Sequence, residues 1–139
     1  MIIMTVGVFD LFHSGHLNLL ERASELGTLI VGVPTSEGAF RAKGERPIMS
    51  FEDRFRTINA LKCVDMAIGF FDNTQLDKLI EFIQPDLWIR GDDWKEFPGF
   101  TKLKKMKVPI KYLPYTLNIS SSLIKDKICS EQCEKQKKY

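Results

Sequence analysis

Short runs rich in β-branched and apolar residues alternate with longer segments whose apolar positions recur every three or four residues. Ile2–Val8, Leu29–Val33, Met66–Gly69, Leu87–Ile89 and Val108–Tyr112 are predicted to be strands. Leu17, Leu20, Ala23 and Leu26 share one face of a helix starting near Gly15, with Gly27 as its stop. A second helix opens at Ser50, where Ser50 and Asp53 make a weak capping-box variant, and continues through Phe55, Ile58 and Leu61. Asn73 or Thr74 caps a third, which carries Leu76, Leu79, Ile80 and Ile83 and ends before Pro85. A fourth begins at the Ser120–Ser122 cluster.

Strand and helix alternating in this way predict a mostly parallel five-stranded sheet with helices on both faces, the doubly wound α/β class. Ligands of such sheets bind beyond the carboxyl ends of the strands, near the point where strand order reverses. The unusual residues fall at those ends: Phe9–His16 after the first strand, Gly91–Trp94 after the fourth and Tyr115–Ser122 after the fifth.

A length of 139 residues suits one domain, expected over 1–128 with a charged tail at 129–139. No apolar run approaches the ~18 residues of a membrane span, and MIIMTVGVFDLF lacks a charged leader, so a cytoplasmic protein without membrane contact is expected. Cys63, Cys129 and Cys133 make neither an even set nor a metal-ligand pattern; reduced thiols and no metal site are expected. The net charge of +2 hides basic clusters at 41–46, 102–107 and the C-terminus, the first two favouring an anionic ligand. Nothing else suggests a nucleic-acid surface.

Both histidines of the chain lie in one strand-to-helix turn, GVFDLFHSGH. Helix N-termini favour phosphate through unpaired N–H groups and the macrodipole. Imidazoles at i and i+3 add donors on one side, and Gly15 lets a phosphate approach the backbone. Such a cradle suits phosphoryl or nucleotidyl transfer, which asks for positioning and charge stabilisation at phosphorus.

These segments resemble the cytidylyltransferases, including the glycerol-3-phosphate, phosphocholine and phosphoethanolamine enzymes. GVFDLFHSGH is similar to their HxGH signature, RGDDW at 90–94 to the Gly-Asp-Asp-Trp of the glycerol-3-phosphate enzymes, and ISSSLIK at 119–125 to an Ile-Ser-Thr-Thr segment. The resemblance implies a Rossmann-like fold, commonly a homodimer, and Mg²⁺-dependent attack of a small phosphomonoester on the α-phosphorus of CTP, the metal carried by the nucleotide. It implies catalytic roles for His13, His16, Asp10 and Arg54. Val8, Phe9, Gly15, Arg90, Gly91, Asp92, Asp93, Ser120, Ser121 and Ser122 would bind nucleotide, and Lys43, Lys62 and Trp94 the acceptor. The activated CDP product would feed surface polysaccharide or lipid synthesis.

The chain departs from that pattern in two places. Lys62 stands where the glycerol-3-phosphate enzymes carry an Arg, and Lys does not reproduce a bidentate phosphate grip. Tyr115 stands where the family has an Arg that grips phosphate, and Arg90 and Arg46 are the candidates to replace its charge. Two alternatives to CTP transfer are a heptose-phosphate adenylyltransferase, whose GxGRP-like loop is similar to Gly44–Pro47, and a catalytically silent nucleotide-binding protein. The chain is too short for a tRNA synthetase fragment with a tRNA-binding region.

Overall fold

The computed structural model describes residues 1–91 and 97–137, with 132–137 as helical backbone alone. Strands β1 (Ile2–Val6), β2 (Thr28–Pro34), β3 (Met66–Phe70), β4 (Leu87–Gly91) and β5 (Ile110–Leu113) are interleaved with six helices. These are α1 (Ser14–Ser24), α2 (Ser36–Lys43), α3 (Phe51–Asn59), α4 (Asn73–Ile83), α5 (Phe100–Lys105) and α6 (Ser121–Lys137). The sheet order is β3-β2-β1-β4-β5, and every pairing is parallel. The chain winds outward from β1 to β3, then crosses back to place β4 on the other side of β1. The expected Rossmann-like, doubly wound α/β fold is therefore present, and its topological switch point lies between β1 and β4.

Successive residues of a strand point to opposite faces, so a sheet covered on both sides needs apolar residues at consecutive positions. Ile3 packs with Leu20, Ala23, Val31, Val33, Ile58 and Ile89 on the face that α1 and α3 cover. Its neighbour Met4 packs with Phe70, Leu76, Ile80, Trp88 and Leu103 on the α4 and α5 face. Each large side chain fully buried this way contributes roughly 1.5–3 kcal/mol. The two layers fix the carboxyl ends of the strands in space, and the loops that leave those ends inherit that rigidity.

Several boundaries differ from the sequence expectations for local reasons. Strand β1 ends at Val6 rather than Val8, because the chain coils into left-handed backbone at Phe9 (φ 54°) and Leu11 (φ 48°). The third predicted helix is capped by Asp72, whose carboxylate accepts from Gln75 N at 2.9 Å, and not by Asn73 or Thr74. The 41–46 stretch, for which the sequence patterning predicts no helix, supplies the last turn of α2, which Thr35 caps and Gly44 closes at φ 79°. The boundary expected between 128 and 129 falls inside α6, which continues through the basic run to Lys137. Among the described residues no helix is long and apolar enough to cross a membrane.

Candidate active site

The turn between β1 and α1 is organised by its two histidines. His13 is the N-cap of α1: its Nδ1 accepts from Gly15 N at 3.0 Å, while His16 Nδ1 accepts from His13 N at 3.3 Å. This reciprocal pair is a capping box built from imidazoles, where Ser or Thr with Glu or Gln usually serve. A neutral imidazole that accepts at Nδ1 carries its proton at Nε2, so each ring keeps one N–H donor for a ligand. The rings stack at 3.8 Å, and His16 is flanked by Phe9 and Phe12, each at 5.4 Å. Burial pushes His16 down to about 4, with His13 acting in the same direction and Asp10 against it; burial also lowers His13. Both are therefore neutral at pH 7.

Gly15 serves this turn before any ligand does. A Cβ there would lie 2.8 Å from His13 Cε1, so the missing side chain makes room for the imidazole, and the Gly15 N–H is already bonded to it. Left-handed backbone at Phe9, Leu11 and, after β5, Asn118 (φ 63°) concentrates strain of ~1 kcal/mol or more per residue in the two loops beside the histidines.

Asp10 and Arg54, both expected to act on the phosphates, are instead bound to their own chain. The Asp10 carboxylate, 6% exposed, accepts from Ile48 N at 2.8 Å and Met49 N at 2.9 Å, pinning the loop that follows α2. Burial works to raise its pKa, but those two N–H groups and Lys125 outweigh it and hold the carboxyl below its ordinary value. Arg54 is 2% exposed and donates to the carbonyls of Met49, Val8 and Pro34 and to Ser36 Oγ, at 3.0–3.2 Å. Burial lowers its pKa and Asp10 opposes that. With four of its five donors engaged, Arg54 is a tie between the ends of β1 and β2 and the start of α3.

Above these ties lies a cleft of two joined compartments. The first, about 580 Å³, is lined by Gly38, Arg41, Phe70, Phe71 and Asp72–Thr74. The second, about 470 Å³, is lined by Asp10, His16, Arg46, Ser121, Ser122 and Lys125. Val6, Gly7, Val8, Ala39, Lys43 and Arg90 line both and form the wall between them. A smaller recess of about 150 Å³ beside the second holds His13, Gly15, Gly91, Tyr115 and Ser120.

The expected site residues thus separate into groups. Val8, Lys43, Arg90, Gly91, His13, His16, Ser121 and Ser122 come together along this cleft. Phe9 also lines it, its ring tucked beneath Gly7 and against His16. The three serines divide their work. Ser120 Oγ caps α6 through Leu123 N, Ser121 Oγ donates to the Asp10 carbonyl at 2.5 Å, and Ser122 is exposed in the second compartment. Lys62 does not join them: it lies in the turn entering β3, at the amino edge of the sheet, whereas the cleft sits at the carboxyl edge. Asp92, Asp93 and Trp94 lie outside the described residues. Of the two proposed replacements for the charge at position 115, Arg90 stacks on Phe97 at 4.1 Å in the dividing wall, whereas Arg46 is bonded to Glu37 at 2.7 Å and covers Phe40. Sequence reasoning missed Arg41, Asp72 and Lys125. For Lys125 the available signal was its position four residues after Ser121, on the same face of the helix.

Comparison with known proteins identifies the family. Residues 4–127 match the cytidylyltransferase-like family. The chain belongs to that family. Among curated relatives of this cytidylyltransferase-like chain, the bifunctional protein HldE of Helicobacter hepaticus is 39% identical over 92% of the chain, and that of Streptomyces coelicolor 35% identical over 85%. The chain spans about a quarter of the length of these proteins, 27% and 26%. The lipopolysaccharide core biosynthesis protein of Thermoplasma volcanium superimposes with a TM-score of 0.68 at 30% identity, over 84% of this chain and 96% of the other. A protein of Archaeoglobus fulgidus, with a TM-score of 0.62 at 13% identity, shares the fold.

Proposed function

We propose that this chain transfers AMP from ATP to a phosphorylated sugar of the heptose-phosphate class, releasing pyrophosphate. The observation that carries the reading is the meeting of two compartments at one wall that holds Lys43 and Arg90. The compartment with His16, Ser122 and the start of α6 suits a polyphosphate, through neutral Nε2–H donors, hydroxyls and a helix N-terminus. The other compartment joins cationic Arg41 to the polar Asp72–Thr74 and the apolar Phe70 and Phe71, a lining suited to a hydroxylated ring with an attached phosphate. An acceptor phosphate oxygen would attack the α-phosphorus at the shared wall. The new P–O bond forms as the bond to the β-phosphate bridging oxygen breaks, and pyrophosphate carries away the electron pair.

In this scheme the chain supplies placement and charge. Lys43 and Arg90 oppose the negative charge of two phosphates brought close together, and the imidazoles donate to oxygens on which charge grows. Neither histidine needs to gain or lose a proton. Asp10, at the head of the turn, has both oxygens already bonded to backbone N–H groups, so a Mg²⁺ ion would be held by the nucleotide's own phosphates, where it would neutralise charge on the triphosphate, and would not rely on this carboxylate.

The choice of ATP over CTP rests on kinship. Similarity to HldE proteins, and to a lipopolysaccharide core biosynthesis protein, favours the heptose-phosphate adenylyltransferase resemblance over the glycerol-3-phosphate one. The RGDDW stretch, which argued for CTP, is described only as far as Gly91. Pyrophosphate release measured for ATP and CTP, each crossed with sugar 1-phosphates, glycerol 3-phosphate and phosphocholine, tests the proposal. Fastest turnover with ATP and a sugar phosphate is expected. Preference for CTP would replace the adenylyl assignment with the cytidylyl one, and nucleotide binding without turnover on any acceptor would favour a silent protein.

A further inference from the structure

The aromatic rings of the first compartment already carry cations. Phe70, Phe71 and Phe97 line it, and a bare aromatic face near a carboxylate is what an ammonium headgroup requires. Phe70 is 5% exposed and belongs to the core with Met4 and Trp88. Arg41 lies over the ring of Phe71, its Cζ 5.1 Å from the centroid, and Arg90 lies over Phe97 at 4.1 Å. With Lys43 beside them, the compartment presents three cations against the single carboxylate of Asp72. An acceptor bringing its own positive charge meets repulsion there, and guanidinium groups where it would need bare rings.

Arg41 differs from the other two cations in its place. Lys43 and Arg90 line both compartments, whereas Arg41 lines the first alone, away from the wall where the phosphates would meet. Its Nε donates to Glu37 Oε1 at 3.3 Å, one turn earlier on α2, and Glu37 is itself bonded by Arg46 at 2.7 Å. The turn beneath the guanidinium is braced as well. Asp72 Oδ1 accepts from Gln75 N at 2.9 Å and Phe71 N donates to Gln75 Oε1 at 2.6 Å. Helix α2 passes so close that a Cβ at Gly38 would collide with the carbonyl oxygen of Phe71. Among the described residues, the Nη–H donors of Arg41 and the side chains of Asn73 and Thr74 have no hydrogen-bond partner. A fixed guanidinium with spare donors, facing a braced turn with spare polar groups across a cavity, is equipped to read hydroxyls.

We infer that Arg41 sets the acceptor class: its Nη–H donors bind hydroxyl oxygens at the end of the acceptor remote from its phosphate, and its charge over Phe71 turns away acceptors that carry an ammonium group. The inference rests on the nucleotidyltransferase reading and on the acceptor side assigned there, and adds the residue that selects. An acceptor phosphate between Lys43 and Arg90 leaves the rest of the molecule to extend towards Arg41 and Asp72–Thr74. A sugar ring carries hydroxyls at several carbons beyond its phosphate, and these can accept from Arg41 while donating to the second Asp72 oxygen. Glycerol 3-phosphate ends on a short chain and offers Arg41 less to hold.

The test uses the full chain, ATP or CTP according to which turns over, and three acceptors: mannose 1-phosphate, glycerol 3-phosphate and phosphocholine. Steady-state kinetics read the reaction, and calorimetric titration reads acceptor binding without turnover. Arg41→Ala removes the donors and uncovers the Phe71 ring. It is expected to weaken mannose 1-phosphate by about tenfold or more and to tighten phosphocholine by about threefold, leaving glycerol 3-phosphate and the nucleotide within about twofold. Arg41→Lys keeps the charge without the planar fork, so it should still reject phosphocholine while recovering only part of the sugar-phosphate affinity. Arg56→Ala removes an exposed cation on α3 that lines neither compartment and should match the wild type. The Arg41 side chain is 66% exposed, so melting temperatures should barely move, and a purely structural role would not shift two acceptors in opposite directions. Equal change or no change across the three acceptors in Arg41→Ala would overturn the inference, as would a nucleotide-binding wild type that took phosphocholine best or bound no acceptor. A wild-type chain that bound neither nucleotide would overturn the nucleotidyltransferase reading, and the role of Arg41 with it.

Discussion

Two layers of polar side chains lie beneath and along the cleft, and they differ in what their donors and acceptors already do. In the lower layer Asp10 and Arg54 are 6% and 2% exposed, and nearly every polar atom is bonded to the backbone of β1, β2 or the loop after α2. In the upper layer His13 and His16 use one nitrogen each to close α1 and keep the other, while Lys43, Ser122 and Lys125 line the cavity. Charge alone does not mark a residue as belonging to a phosphate site. What matters is how many of its hydrogen bonds the fold has already claimed.

The sharpest way to break this contrast is to remove the lower layer. Arg54→Met leaves the buried Pro34 carbonyl, the part-buried Val8 and Met49 carbonyls and Ser36 Oγ without this donor and should cost about 3–5 kcal/mol in urea unfolding; a loss below about 1 kcal/mol would mean that the site relaxes around it. The upper layer should respond in the opposite sense. Gln at position 16 retains an acceptor for the His13 N–H, so His16→Gln should fold like the wild type while kcat falls ~10²-fold. A kcat within about threefold of wild type would remove the imidazole from the reaction. A smaller effect separates the layers at the loop. Asp10→Asn faces one of two backbone N–H groups with an amide donor, which should cost about 1–2 kcal/mol and speed hydrogen exchange at Ile48 and Met49.

The smallest effect is a matter of pH. Burial favours neutral His16, so the unfolded chain binds a proton near pH 6.5 that the folded chain takes up only at about 4. Stability from this group is complete above about pH 6.5 and is lost as pH falls towards 4, because the unfolded state holds more protons in that window. At pH 6 the loss is under about 1 kcal/mol, it grows below that, and it should be absent in His16→Gln. Melting temperatures across pH 8 to 5 for both proteins decide it.

The sheet was legible because buried parallel strands need apolar residues at consecutive positions, a pattern that survives in IIMTV, TLIVGV and LWI. The histidine turn was legible because both histidines fall between a strand and an amphipathic helix. Helix α2 was not: SEGAFRAK buries only Gly38 and Ala39, small residues whose periodicity is hard to see against the charges around them. The ties of Arg54 were not legible because its pattern reveals only a cation on a helix, whereas its partners are carbonyls contributed from Val8 and Pro34, far away in the chain. Lys125 reads as one more basic residue in a basic helix until folding places it opposite Asp10, 115 positions earlier. The resemblance to nucleotidyltransferases correctly pointed to the family but leaned on motifs at 92–94 for the base, and kinship leads instead to the heptose-phosphate alternative.

The wall formed by Val6–Val8, Lys43 and Arg90 has a stereochemical corollary. Under the proposed reaction the incoming oxygen and the departing group sit in different chambers, one on each side of the phosphorus. A single in-line exchange across that partition turns the phosphorus inside out. A nucleotide made chiral with sulfur at that atom should therefore emerge in product of the opposite handedness.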